Sequence, residues 1–337
     1  MLLKRSCICA QVHLFSTSPR KRHPLTPHPS PLTPHLSPPN LLIMKRLFIL
    51  FIGITLLAAC GDDNDDNNSS TPTPASKNTN ANPALKPEYR RLEMPHMKGG
   101  SYNLIVVHST AKNGVNYILE WDCLKKSQRW SCYTLDKDNS PQNVSRYYSD
   151  SNQYPQDPDI PSAYTFATDP YWHSGYDHGH ICPSYDRLNS REENIQTFYL
   201  SNMQPQRNKF NSGIWLKMEQ LISKTWNTNQ FRDTLYVCKG GTIDKEEQIL
   251  TRLGNGLIVP RYFFMAILCK NSQGYKALGF WVEHRNEDRS NDNIMDYVVS
   301  IDELERLTDI DFFCNLPDDL EETTERVVYP VSWGLRN

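Results

Sequence analysis

Gly175-Tyr176-Asp177-His178-Gly179-His180-Ile181-Cys182-Pro183 packs two histidines and an aspartate into four residues around a glycine. Downstream comes Phe198-Tyr199-Leu200-Ser201-Asn202-Met203-Gln204-Pro205-Gln206, and then Asn211, Trp215 and Glu219. Each piece alone has a bland explanation. Asparagine is a favoured helix N-cap, a lone histidine is usually a surface residue, and Glu219 could be a solvated helix charge. Their spacing says more. Ile214, Trp215, Met218, Leu221, Ile222 and Thr225 follow three-and-four spacing after Asn211-Ser212-Gly213, which predicts a helix. On it Asn211 and Glu219 lie ~80° apart around the axis and ~12 Å along it. Helical side chains lean toward the N-terminus, so Glu219 points back toward Asn211. A hard cation at the helix mouth could meet Asn211 directly and Glu219 through water. Magnesium prefers that arrangement, with few protein oxygens, several waters and room for phosphate.

Outward from this centre, segments 102–108, 115–121, 130–135, 235–238, 262–268 and 275–282 are rich in Val, Ile, Tyr and Phe and bounded by turn residues. Ser300-Ile301-Asp302-Glu303 is a capping box that opens a second helix through Leu307. Strands, then helix, then strands again predict an α+β fold: a mixed, mostly antiparallel central sheet with helices on its faces. No internal repeat or second linker divides residues 95–337, which read as one domain.

The N-terminus reads as an address. Eight prolines fall between Pro19 and Pro39, a composition that cannot build a core. Met44-Lys45-Arg46 and the apolar run 47–57 form the basic and apolar parts of a secretory signal, too short to span a bilayer comfortably. Leu57-Ala58-Ala59-Cys60-Gly61 resembles the bacterial lipobox, which implies cleavage before Cys60 and lipid attachment to its thiol. The expected organisation is therefore 1–43 as upstream sequence read in error, 44–60 as a lipoprotein signal peptide, 61–94 as a disordered polar tether, and 95–337 as the functional domain. That arrangement places the mature protein outside the cytoplasm, held to a membrane of the bacterial envelope, where disulfides are permitted. Cys123 and Cys132 flank a turn and could pair across a hairpin; buried free thiols are the alternative.

The chain has 337 residues, 38% hydrophobic and 22% charged, which excludes a disordered chain and a multi-span membrane protein. Its formal charge of −2 hides an asymmetry. All seven basic charges before Cys60 are unopposed, leaving 29 basic against 38 acidic residues beyond it, or −9. Gripping nucleic acid by bulk positive charge is disfavoured; a local basic rim or a metal would be required. Arg187, Arg191, Arg207, Lys209 and Lys217 lie near the motifs and are candidates for that rim. A zinc peptidase is disfavoured because no HExxH occurs.

Taken together, the motifs resemble those of the DNA/RNA non-specific endonucleases with a ββα-metal active site, the family of Serratia nuclease and endonuclease G. The family pattern Asp-Arg-Gly-His with a following Pro, Asn-x-x-Pro-Gln and Asn-x-x-x-Trp-x-x-x-Glu is met by Asp177-His178-Gly179-His180 with Pro183, by Asn202 to Gln206, and by Asn211, Trp215 and Glu219. The resemblance implies that His180 is the general base, Asn211 the direct ligand of Mg2+ (or another divalent ion such as Mn2+), and Glu219 an orienter of metal-bound water. It also implies that Arg146 grips phosphate, and that DNA and RNA are substrates cut with little sequence preference. His178 stands where the family has Arg, so a lower pH or salt preference is expected. The competing expectations are a metal-dependent phosphodiesterase acting on small phosphate esters and a catalytically impaired nucleic-acid-binding lipoprotein.

Overall fold

The computed structural model describes residues 77–336. In chain order these form β1 (Asn103–Thr110), β2 (Gly114–Asp122), β3 (Ser127–Leu135), β4 (Asp177–His180), α1 (Arg191–Gln196), β5 (Met203–Gln206), α2 (Asn208–Phe210) and α3 (Leu216–Gln220). Then follow β6 (Thr234–Gly241), β7 (Ile249–Arg252), β8 (Ile258–Pro260), β9 (Tyr262–Asn271), β10 (Gly274–Glu283), β11 (Val298–Val299), α4 (Ile301–Thr308) and α5 (Asp318–Glu325). The fold is α+β. Seven strands make one sheet in the order β1-β2-β3-β6-β9-β10-β11. As expected the sheet is antiparallel in character, and every pairing described within it is antiparallel. Hairpins build both halves, and β6 returns beside β3 in the opposite sense.

The two-residue period of β9 shows how the sequence covers both faces. Phe263, Met265 and Ile267 join one apolar cluster, and Phe264, Ala266 and Leu268 join the other. Against the first face lie Phe210, Ile214, Trp215 and Met218 from the α2–α3 region. Ile301 and Leu304 of α4, with Phe312 and Phe313, close the second. Fully burying a large apolar side chain contributes roughly 1.5–3 kcal/mol, which makes this three-layer arrangement the dominant stabilising term. Ser300 caps α4 as its capping box requires, accepting from Glu303 N at 3.1 Å. The long excursion between β3 and β6 carries β4, α1, β5, α2 and α3, and with them the polar motifs.

Two expectations are corrected. The folded region does not start at residue 95. Asn82 is fully buried, donating to Pro95 O (2.9 Å) while its backbone N–H donates to Asn315 Oδ1 (3.1 Å), and Met94 is fully buried in the second cluster. Thr79 N–H bonds Asp318 Oδ1 at 2.8 Å. A stretch polar enough to read as tether is thus bound by long-range hydrogen bonds. Cys123 and Cys132 do not pair either. Cys132 registers with Ile118 and Cys238 and belongs to the second cluster, whereas Cys123 belongs to the first. All six cysteines of the described region are free and buried. Segments 1–43 and 44–60, with Cys60 itself, lie outside the described residues.

Candidate active site

β4 and β5 form a short antiparallel ribbon in which Asp177, His178, Gly179 and His180 face Gln206, Pro205, Gln204 and Met203. The chain then runs directly into α2, a π-wound turn over Asn211–Trp215, and α3, so two strands and a helix hold the motif residues. Gly179 is explained by close approach. A Cβ there would stand 2.3 Å from Cδ of Gln206, whose side chain lies across it. Asn202 stitches the base of the ribbon, with its Oδ1 accepting from Cys182 N and its amide donating to Cys182 O and Thr197 O.

Arg146, His178, His180, Asn211 and Glu219 all line one cleft of about 480 Å³, together with Tyr154, Tyr176 and Asp177. Asn211 is not the helix mouth. Helical structure begins at Asn208, and Asn211 sits one turn inside it with φ −59° and ψ −50°. Its amide donates to Asp177 Oδ2 at 3.1 Å, as does that of Asn208. With Nδ2 committed, the free end of Asn211 is its carbonyl oxygen, an atom type that suits a hard cation.

His180 is half-buried, but its Nε2 is shut off from solvent and has no hydrogen-bond partner. Phe198 stands edge-on to the ring at 4.8 Å. Burial, with the Arg146 charge second, holds its pKa down at about 3. The ring is therefore neutral at pH 7 and carries an unengaged nitrogen. Arg146 lies over Phe198 at 4.8 Å and forms no ion pair among the described residues. Glu219 accepts from Lys239 Nζ at 2.6 Å. Burial raises the Glu219 carboxyl, and the Lys239 charge works against that rise. Lys239 itself is fully buried, 5.0 Å from the Trp215 ring centroid.

His178 lines the cleft, but its ring is engaged. Its Nε2 meets both oxygens of Asp169 (3.1 and 3.0 Å), and its ring is sandwiched by Tyr154 (3.7 Å, 4°) and Tyr171 (4.2 Å, 28°). Two rim candidates are also structural. Arg187 is buried and donates to Asn116 O and Thr134 O, and Lys217 donates to Ser290 O and Asp292 O. Arg207, stacked over cleft-lining Tyr176 at 5.1 Å, and exposed Lys209 remain available.

Asp177 and Lys239 are the residues that sequence reasoning left without a role. Lys239 had a signal: it continues the face of Leu235 and Val237, where a charge interrupts an apolar stripe.

A profile of the DNA/RNA non-specific endonucleases matches residues 103–319, more than half of the chain, and the chain belongs to that family. It is 25% identical over 228 residues to the mitochondrial nuclease EXOG of Xenopus laevis, covering 65% of this chain and 62% of that protein. To a nuclease of Nostoc sp. it is 30% identical over 167 residues, covering 47% and 58%. The chain spans about three-fifths of the length of these curated relatives. The solved EndoG/EndoGI complex shares the fold with a TM-score of 0.53 at 23% identity, covering 65% of this chain and 90% of that one.

Proposed function

We propose that this protein is a magnesium-dependent, largely sequence-non-specific endonuclease that hydrolyses phosphodiester bonds in DNA and RNA. The observation that carries the reading is the His180 ring: neutral and lining the same cleft as Asn211, Glu219 and Arg146. A neutral imidazole lining an open cleft can take a proton from a water there. In this reading His180 takes the proton of that water. Arg146 pairs with phosphate oxygens, for which its unpaired fork is suited. Asn211 would hold the cation through Oδ1, and Glu219, fixed by Lys239, would orient water around it. The donor set fits magnesium, which asks for oxygen ligands and keeps most of its water. When bound, the ion would offset charge on the phosphate and stabilise the departing 3′-oxygen. The nuclease names of the relatives support the same class.

The test uses the purified protein on supercoiled plasmid, structured RNA and bis(p-nitrophenyl) phosphate, with magnesium or EDTA. Nicking and RNA cleavage should require the ion, and His180→Ala should lower kcat by about 10²–10⁴-fold, the share of a general base. Hydrolysis of the small ester alone would overturn the reading. We further propose export and lipid anchoring through Cys60. Labelled palmitate should enter the wild-type chain and not Cys60→Ser; equal labelling would exclude it.

A further inference from the structure

On the sheet face away from the cleft, carboxylate oxygens of Asp302 and Glu305 (α4) and Glu325 (α5) lie within 4.8 Å of one another. Like charges so placed repel unless something neutralises them. No basic side chain among those described does so. Among the described residues none of the three forms an ion pair, and the neighbouring arginines are engaged otherwise, Arg306 with Glu303 and Arg326 with Glu322. Glu325 is only 5% exposed, and its Oε1 is buried with no hydrogen-bond partner. An oxygen in that condition costs about 1–3 kcal/mol, more if charged, unless a ligand meets it.

The remaining donors and acceptors are also oxygen-rich. Phe312 N–H donates to Glu305 Oε1 at 2.7 Å. Asn80 donates to Glu321 Oε1 (2.7 Å) and Asp311 Oδ2 (3.3 Å), and its own Oδ1 is buried without a partner. No sulfur or imidazole belongs to the triad. Burial, reinforced by the neighbouring carboxylates, pushes the Glu325 carboxyl up to about 10 and Glu305 up to about 8.

We propose that Asp302, Glu305 and Glu325 form a structural calcium site that clamps α4 to α5. Calcium takes several carboxylate oxygens at about 2.3–2.6 Å in flexible geometry, and three such oxygens within 4.8 Å of one another can share one ion; magnesium demands a tighter octahedron. The site also secures the N-terminal segment, because Asn80 and Thr79 bond Glu321 and Asp318 of the same helix. It is independent of the catalytic reading.

Thermal unfolding of the EDTA-treated full chain, with and without 10 mM CaCl2 (about tenfold to a hundredfold above the Kd of extracellular calcium modules), tests it. Calcium should raise the folded-to-unfolded ratio of wild type and of Asn211→Ala by about 10- to 100-fold. Glu325→Gln should lose that rise. Should Glu325→Gln fold poorly, calorimetric calcium titration of Asp302→Asn, an exposed and benign change, should show affinity reduced at least about tenfold. No calcium response in wild type, or an unchanged response in both carboxamide variants, would overturn the site.

Discussion

His284 joins two strand ends to the end of the β4–β5 ribbon. Its Nε2 accepts from Arg207 N at 2.7 Å and its Nδ1 meets Pro260 O at 2.9 Å. The first bond needs the neutral ring, since a protonated Nε2 cannot accept, whereas the Nδ1–H donation to Pro260 O survives protonation; burial outweighs that bond and holds the pKa down at about 4 against the ordinary 6.5. The unfolded chain therefore binds the extra proton first as pH falls. His284 contributes stability that is fully present above pH 6.5 and lost as pH drops toward about 4, up to about 3 kcal/mol in all. Denaturant unfolding across pH 4–7 should show a slope shallower by about one proton in His284→Gln than in wild type; an identical slope assigns the loss elsewhere. Lys239 acts on its neighbour in the opposite sense. It opposes the burial that raises Glu219, so Lys239→Met should lift the Glu219 carboxyl further and leave a buried acid unpaired, at a cost of about 3–5 kcal/mol. The acid limb of the pH–activity profile should move to higher pH in that variant. A profile that loses amplitude without moving would mean that Lys239 only supports packing.

At the level of elements, the β4–β5 ribbon sets the position of His180, and Gly179 is its tightest point. Gly179→Ala puts a methyl group into the buried Gln206 side chain, an overpacking that typically costs about 1–3 kcal/mol. Stability and kcat should fall together, and Gly179→Ala/Gln206→Ala should recover part of the stability by vacating the space. No recovery would place the conflict in the backbone instead. These local elements were the legible part of the chain. The period of 262–268 and 275–282, the capping box at Ser300 and the run of motifs from Asp177 to Glu219 each carry their signal within a few residues. What escaped depends on distant partners. Asp169 and Tyr171 grip His178 from a loop that has no pattern, and Arg187 and Lys217 spend their charge on backbone carbonyls that composition does not announce. The helix start was misplaced because Arg207, which precedes it, supplies no side-chain cap. The 77–94 segment looked unstructured because asparagines do there what apolar side chains usually do.

For the whole molecule, charge decides how a nucleic-acid substrate would be held. Beyond Cys60 the chain is net −9, and the rim around the cleft reduces to Arg146, Arg207 and Lys209, because Arg187 and Lys217 are bound internally and Arg191 stacks over Tyr147, which does not line the cleft. Binding to a duplex through about three cations releases few counterions, so log(kcat/KM) on DNA should fall against log[salt] with a slope of about −2 to −3. On the proposed reading, the net negative remainder would repel the rest of a duplex and disfavour a larger footprint. Weak holding does not limit the chemical step, since uniform binding lowers KM without raising kcat. Arg207→Ala/Lys209→Ala should therefore make the slope shallower by about 2 and raise KM, with kcat at saturating DNA nearly unchanged. Arg146→Ala should differ by lowering kcat as well, because its guanidinium lies inside the cleft with His180. A wild-type slope near −8 would mean that a basic surface outside the cleft carries the substrate, and would separate the binding face from the site that holds His180 and Asn211.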